Sequence, residues 1–378
     1  MDARFTVQVR DFLTAATTAA KAISQKNTLP ILSDLKITLN EGLMEVKGMD
    51  YDCSITVSHA LAYDGEAVSF CVEAARLIEG LRHLTQDSDL DVKVSENSIT
   101  ASHASGSFTL PLMDAGEYPV ERMGDPDGES AIAIGSAKLA DALKRCYPMT
   151  CKDDLRPVMQ TVCVRLRDNG TLDLVGSDGR ALTKWSVSYG AYGKPFEILI
   201  PRRIVEILCG LLPEKEVTEV RVYDLDKYAI ATFGDVTLRF RVVEGRYPNY
   251  DSVIPSKANA TRVSFSRAAL VEGVTRTFSF SPETSRLLRV NAKEGGLVLQ
   301  GQDFDYSCSA EENVEASVSG DSQEIGLNGQ LLMGALKALN GFDEIDMSVT
   351  SKDMPVIMEP AGDTDIALTI LVVPMLIG

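Results

Sequence analysis

Histidine is scarce in this chain, and tryptophan scarcer. The 378 residues hold three histidines, His59, His83 and His103, and one tryptophan. The histidines all fall in the first third, with no His-Glu-x-x-His spacing and no neighbouring ligand cluster. A zinc hydrolase is therefore not indicated. No Gly-x-x-x-x-Gly-Lys-Ser/Thr segment is present, which removes phosphate-loop nucleotide hydrolysis, and no Gly-x-Ser-x-Gly elbow marks a serine nucleophile. Seven cysteines, Cys53, Cys71, Cys146, Cys151, Cys163, Cys209 and Cys308, make an odd number without Cys-x-x-Cys. Set among apolar neighbours, they read as reduced thiols in a reducing compartment. Cys151, beside Lys152, lacks a base at defined spacing. The most apolar run, Ile366 to Gly378, is 13 residues long and is interrupted by Thr369 and Pro374, too short for a membrane helix. Met1 to Phe5 lacks the apolar stretch of a signal peptide. These absences lead us to expect a soluble cytoplasmic protein with no cofactor and no metal.

What is present is a globular composition, 45% apolar, in a chain long enough for two or three domains. The net charge is -17, which taken globally argues against a polybasic nucleic-acid binder. The stretch Gly234 to Tyr250 alternates, with Leu238, Phe240 and Val242 on one face, then breaks at Gly245 and Tyr247-Pro248. That pattern is a strand running into an extended connector. An echo lies upstream, from Phe108 through Gly116 to Tyr118-Pro119, and Phe108 and Phe240 are 132 residues apart.

The echo belongs to a longer pattern. Three hairpins end Gly-x-Asp, at Gly48-Met49-Asp50, Gly176-Ser177-Asp178 and Gly301-Gln302-Asp303, with the aspartates 128 and 125 residues apart. The second helices, opening at Val72, Pro201 and Leu327, start 129 and 126 residues apart. Matched landmarks at one period point to a threefold internal repeat. Each unit is expected to hold about eight strands and two helices, an α+β unit, over residues 1–125, 126–255 and 256–378. Within this reading a helix runs from Asp11 to about Ser24, Ser136 and Ser266 cap helices, and Pro201 takes a first helical position. Asp50 to Val57 reads as a strand, and Asn27 to Leu32 as a turn entering a strand. Asp50, Asp178 and Asp303 read as turn residues.

Charge is segregated along the repeat. The six helical segments carry thirteen basic and six acidic residues, hence +7, which leaves -24 for the rest of the chain. A chain acidic everywhere except on its helices suits a polyanion met from one side. Three such units can form an arc with helices inside and sheets outside, and two arcs can close a ring. A basic inner wall would hold duplex DNA through phosphates, without base readout.

At this point the chain resembles the bacterial sliding clamps, the beta subunits of the DNA polymerase III holoenzyme, over its whole length. The resemblance is carried by Thr28-Leu29-Pro30-Ile31-Leu32, Ser177-Asp178-Gly179-Arg180, Ile200-Pro201-Arg202-Arg203, Glu244 to Tyr250 and Val373-Pro374-Met375. It implies three repeated DNA-clamp domains, each with two inner helices and outer antiparallel sheets, forming half of a head-to-tail homodimeric ring. Such a ring slides on duplex DNA and makes the polymerase processive without an active site of its own. The nucleotidyltransferase activity of the holoenzyme then resides in a partner subunit, and a clamp loader opens the ring. A peptide-binding scaffold that does not encircle DNA is the alternative.

Carried over by position, the family's peptide pocket implies Met159, Ser177, Gly179, Arg180, Leu182, Pro248, Ser252, Val253, Leu371, Val373, Pro374 and Met375. It would receive motifs of polymerase, loader and repair proteins. DNA-facing positions are Lys26, Arg82, Arg202 and Arg203 by resemblance, with Arg10, Lys144, Arg145 and Arg276 added by the helix charge count. Ring closure would use Phe108 and Leu110 of one edge, meeting Phe278 and the strand Leu297 to Gln300, including Leu299. The chain departs from the family at Arg180-Ala181, where many members have His-Arg, and after Met375, where a terminal cation is replaced by Leu376-Ile377-Gly378.

Overall fold

The computed structural model describes residues 2–24, 26–121, 132–190, 195–214 and 218–377. In the first third, β1 (Ala3–Gln8) runs into α1 (Val9–Ala20), and a 3-10 turn at Pro30–Ser33 leads to β2 (Asp34–Asn40). Then follow β3 (Leu43–Met49), β4 (Cys53–Ala60), β5 (Val68–Glu73), α2 (Ala74–Arg82), β6 (Asp89–Val94), β7 (Ser98–His103), β8 (Gly106–Pro111) and β9 (Met113–Asp114). The middle third holds β10 (Ile132–Gly135), α3 (Ser136–Cys146), β11 (Thr161–Leu166), β12 (Thr171–Ser177), β13 (Ala181–Ser188), β14 (Phe196–Pro201) and α4 (Arg202–Leu211). It closes with β15 (Glu219–Leu225), β16 (Tyr228–Phe233) and β17 (Val236–Arg241). The last third holds β18 (Thr261–Ser266), α5 (Arg267–Phe278), β19 (Leu287–Lys293), β20 (Gly296–Asp303), β21 (Cys308–Val314), β22 (Ala316–Ser319) and β23 (Gln323–Asn328). It ends with α6 (Gly329–Ala338), β24 (Glu344–Val349), β25 (Val356–Pro360) and β26 (Ala367–Val372). The order strand, helix, four strands, helix, three strands thus recurs three times, with β9 and β22 as additions.

Contacts gather the chain into two units. Unit 1 is Met1–Leu139 with Glu206–Val242, and unit 2 is Ala140–Val205 with Val243–Gly378. Unit 1 contains a four-stranded sheet, β1-β6-β7-β8, and a nine-stranded sheet, β10-β15-β16-β17-β4-β3-β2-β5-β9. Unit 2 contains a nine-stranded sheet, β14-β11-β12-β13-β26-β25-β24-β18-β22, and a four-stranded one, β21-β20-β19-β23. The long sheets arise because strands from two repeats pair antiparallel. Leu238 of β17 stands opposite Ile55 of β4, and Phe240 opposite Cys53. Leu371 of β26 stands opposite Leu182 of β13, and Leu368 opposite Trp185. All of these residues are at most 5% exposed. The expected boundary at 125/126 lies outside the described residues.

The Gly-x-Asp signature has a physical cause in each repeat. A Cβ on Gly48, Gly176 or Gly301 would lie 2.2, 2.1 or 2.2 Å from the carbonyl oxygen of Ala19, Cys146 or Thr277, at the end of α1, α3 or α5. Only glycine admits that approach. Two residues on, the aspartate folds the turn. Asp50 Oδ1 accepts from the backbone of Asp52 and Cys53 at 2.9 Å, and Asp178 Oδ1 from Arg180 and Ala181 at 2.8 Å. Asp303 Oδ1 does the same with Asp305 at 2.9 Å and Tyr306 at 3.3 Å.

Several boundaries differ from expectation. α1 begins at Val9 and ends at Ala20, four residues short of Ser24, and Asn27 to Leu32 enters a 3-10 turn before any strand. β4 starts at Cys53 because Asp50 to Asp52 form the aspartate turn. Pro201 ends β14 opposite Thr161, and α4 opens at Arg202, because Pro201 needs no donor at that sheet end. Ser266 occupies the cap position of α5 without a side-chain hydrogen bond, whereas Asn328 caps α6 by accepting from Gln330 and Leu331. None of the seven cysteines forms a disulfide among the described residues; Cys53, Cys71, Cys146, Cys151 and Cys163 are buried, and burial pushes the Cys71 thiol up to about 12. No described helix is long and apolar enough to cross a membrane, and no described group of side chains could hold a metal ion.

Candidate functional site

Unit 2 encloses a cavity of about 200 Å³. Three segments build it. The 3-10 turn Pro157–Gln160 supplies Met159, the aspartate turn supplies Ser177, Gly179 and Arg180, and the connector supplies Pro248, Asn249 and Val253. Leu182 and Leu371, paired across β13 and β26, form a floor that continues into a core of Cys163, Val175, Leu199 and Ile357. Gly179 has φ +86°, a conformation that side chains rarely adopt. The turn is locked by Ser177 Oγ, which donates to Ala181 O at 2.8 Å, and by Arg156, whose Nη1 donates to Asp178 O at 3.2 Å. The amide of Val373 donates to Arg180 O at 2.8 Å and holds the rim. Val253 and Val373 stay 49% and 40% exposed at the mouth, apolar side chains left without cover.

Two tyrosines stiffen the wall. Tyr247 and Tyr250 meet edge to face with centroids 6.3 Å apart. Tyr250 donates its hydroxyl proton to Asp173 at 2.9 Å, and the buried Asp173 also accepts from Arg167 and Ser186 at 2.5 Å each. Asp251 closes the network onto Arg167 at 2.7 Å and Lys184 at 3.0 Å. Burial alone would raise the Asp251 carboxyl, but the hydrogen bonds from Arg167 and Lys184 outweigh it and hold the pKa below the usual range. The Tyr247 hydroxyl is buried and makes no hydrogen bond of normal geometry among the described residues. Burial lifts its pKa well above that of an ordinary phenol, so it remains a proton donor.

Nine of the twelve positions carried over for the pocket line this cavity: Met159, Ser177, Gly179, Arg180, Leu182, Pro248, Val253, Leu371 and Val373. Ser252 turns its hydroxyl to Asn249 O at 2.7 Å, and Met375 is drawn to β23 through its amide on Gly326 O at 2.8 Å. Neither they nor Pro374 line the cavity. Tyr247, Asn249, Tyr250 and Pro355 do line it and were not singled out from the sequence, though the first three sit in the connector motif.

The basic candidates divide by how they are engaged. Arg10, Lys26, Arg82 and Lys144 lie exposed on or beside helices. Arg10 pairs with Asp87, and Arg82 reaches Glu79 at 3.5 Å. Arg202 donates to Thr150 Oγ1 at 2.8 Å and stacks 4.1 Å over the Tyr147 ring, while Arg203 is half-buried. Arg145 is occupied in holding unit 2 together. It grips Asp141 at 2.8 Å, donates to the carbonyls of Ala338, the last residue of α6, and of Asn340 just beyond, and lies over Phe342. Arg276 is likewise turned to Glu312 of β21 at 2.7 Å. A charge count along the sequence sees sign and not engagement, so it cannot separate these two from the others.

The residues expected at the ring seam also divide. Phe108 and Leu110 lie half-exposed on β8, which among the described residues pairs with β7 alone. Phe278 is the last residue of α5 and is half-buried. Leu297 and Leu299 are buried in β20, flanked by β19 and β21. The edge of that sheet is β21, because the strand after β20 folds back over it, so Leu297 to Gln300 lie one strand in from the edge.

Residues 3–122 match the N-terminal domain of the DNA polymerase III beta subunit, and residues 251–375 match its C-terminal domain. The chain is 24% identical to the beta sliding clamp of Pseudomonas putida over 368 residues, covering 97% of this chain and 98% of that protein. It is 23% identical to that of Staphylococcus aureus over 377 residues, covering 97% and 98%. Among solved structures, a Pseudomonas aeruginosa sliding clamp bound to griselimycin superposes with a TM-score of 0.92 at 24% identity, over 100% of both chains. The Thermotoga maritima DNA polymerase III beta subunit gives 0.88 at 20% identity, also over 100% of both. Matched at both ends by the family's domains, and along nearly its whole length by the family's members, this chain belongs to the DNA polymerase III beta subunits, the bacterial sliding clamps.

Proposed function

We propose that two copies of this chain close head to tail into a ring that encircles duplex DNA and tethers the replicative polymerase. The observation that carries this reading is a pair of unsatisfied edges. β17 and β26 each find a partner within the chain, on β4 and β13. β8 stands at the same place in its repeat and, among the described residues, pairs only with β7, while β21 stands where β4 and β13 stand and pairs only with β20. An exposed edge strand needs a partner or a guard. β8 of one copy laid against β21 of the next satisfies both copies twice, by the pairing already used within the chain.

DNA would be held through phosphates by Arg10, Lys26, Arg82, Lys144, Arg202 and Arg203, without reading sequence. Arg145 and Arg276 are assigned to holding the fold. The unit 2 cavity is proposed to take short linear motifs of the polymerase, the clamp loader and repair proteins, with a Leu or Phe anchor against Leu182 and Leu371. Polymerase chemistry is assigned to a partner subunit, and the ring works in the cytoplasm, where the DNA is.

Retention on DNA tests this. The protein is loaded by its loader onto nicked circular DNA, the circle is cut, and release is followed by gel filtration. A closed sliding ring stays on the circle and leaves the linear product. Loss from both at moderate salt sinks the ring in favour of a peptide scaffold. Equal retention on both replaces encirclement with ordinary affinity.

A further inference from the structure

Unit 1 contains a second cavity of about 760 Å³, built from the same parts as the one in unit 2. The 3-10 turn Pro30–Ser33 stands where Pro157–Gln160 stands, and its neighbour Leu29 lines the space. The aspartate turn brings Tyr51 and Asp52 where the other brings Gly179 and Arg180. The connector Tyr118-Pro119-Val120 takes the place of Tyr247-Pro248-Asn249. The closing contact is the same as well. The Arg241 amide donates to Asp52 O at 2.8 Å, as the Val373 amide donates to Arg180 O at 2.8 Å. Beneath lies an apolar floor of Leu32, Met49, Cys71 and Tyr118.

The two cavities differ in what they offer. Leu29, Tyr51 and Val120 are 43%, 63% and 88% exposed around the unit 1 cavity, a cluster of large apolar side chains with no cover among the described residues. The charged residue of the unit 2 lining is Arg180, and at the matching position unit 1 has Asp52, exposed, with Asp50 behind it. Glu121 also lines the space but is already bound to Lys47 and Ser54. Arg241 is at the far rim, where unit 2 has Val373.

We propose that the unit 1 cavity is a second docking site, which takes a short extended peptide whose apolar anchor lies next to a lysine or arginine. The anchor sits between Leu29, Tyr51 and Val120, and the cation meets Asp52. The proposal rests on the reading of the unit 2 cavity as a peptide dock, because the two are built alike. It goes beyond that reading in assigning unit 1 a partner class of opposite charge.

The test uses the full chain and two fluorescent synthetic peptides, read by anisotropy. Both carry a Leu-Phe anchor; one is flanked by lysines and the other by aspartates. The lysine peptide is expected to bind about tenfold or more weakly to Asp52→Lys, the loss of a charge-assisted contact, with Asp52→Asn between. Val373→Glu is expected to leave its binding unchanged while abolishing binding of the aspartate peptide. Asp52 is exposed and shapes the turn through its backbone, so these variants fold, and circular dichroism checks that they do. The inference falls if the lysine peptide does not bind while the aspartate peptide does, a result that leaves the unit 2 reading standing. It falls equally if lysine-peptide binding survives Asp52→Lys or is lost in Val373→Glu. If neither peptide binds, both readings fall together.

Discussion

The strand β17 and the strand β8 are the same piece of the repeat in two situations. In β17, Leu238 and Phe240 are fully buried, facing Ile55 and Cys53, which are also fully buried. In β8, Phe108 and Leu110 remain half-exposed, and so do Cys308 and Ala310 on β21, the counterpart of β4. Apolar side chains of similar size thus end in different environments because one strand has a second partner in the chain and the other has none among the described residues. Glu311 and Glu312 add charge to the open β21 edge, and Arg276 restrains Glu312. Charge on an open edge discourages stray pairing while leaving the fitting partner a way in.

The comparison can be broken most strongly at β8. Leu110→Asp places a carboxylate in the proposed seam, a cost of about 3–5 kcal/mol for an unpaired buried charge. The dimer dissociation constant should rise on the order of a hundredfold or more. Sedimentation should show a folded monomer, since Leu110 is half-exposed in the single chain; an unchanged dimer would move the seam elsewhere. The corresponding change in the closed seam, Phe240→Ala, should instead cost fold stability, about 3–5 kcal/mol in urea unfolding. If Phe240→Ala dissociated the dimer without lowering the unfolding midpoint, the two seams would not be related as described.

A smaller effect concerns the wall of the unit 2 cavity. The folded pKa of Asp251 lies below its ordinary value, so the unfolded chain takes up the proton first as pH falls. The carboxylate therefore adds stability above the usual carboxylate range, near pH 4, and that increment is lost as pH drops through the folded pKa. Asp251 is 39% exposed, so solvent screening limits the increment to about 1 kcal/mol at most. The gap in unfolding midpoint between the native chain and Asp251→Asn should narrow on acidification; a gap constant from pH 7 to pH 3 would contradict the ion pairs.

The least disruptive change sharpens the register. Leu238 lies two residues past Val236 at the start of β17, as Phe108 lies two past Gly106 at the start of β8. Ile55 lies five residues past Asp50, as Cys308 lies five past Asp303. Leu238 faces Ile55, so Phe108 of one copy should face Cys308 of the next. Facing strand positions come close to disulfide distance, so oxidised Phe108→Cys should give a covalent dimer on a non-reducing gel. Loss of that dimer on replacing Cys308 with serine confirms the pair, and a cross-link through another cysteine shifts the register.

Much of this was legible in the sequence, because the signals were local. The Gly-x-Asp turns, the alternation of Leu238 and Phe240 and the Tyr-Pro connectors depend on a few adjacent residues, and the strands and turns appeared there. Hidden features depended on distant partners. Nothing local tells that β17 pairs with β4, some 180 residues away, or that β21 covers β20 and takes the edge from Leu297 and Leu299. Arg145 and Lys144 are neighbours of one type, yet Arg145 is held by Asp141 and by carbonyls almost 200 residues on. The cavity was legible to the extent that it sits in the turn and connector motifs; Pro355, from a loop without a motif, was not.

The three glycines that let a helix end touch a strand have a further implication. At Gly48, Gly176 and Gly301 the spacing between helix and sheet is set by backbone atoms alone. No side chain of the layer between them acts as the spacer there. Core residues can then be exchanged freely, provided that volume and pattern persist, without changing how far each helix stands from its sheet. Architecture and sequence are to that degree uncoupled. Such a chain can drift through most of its residues and still present the same strand edges, at the same height, to a second copy of itself.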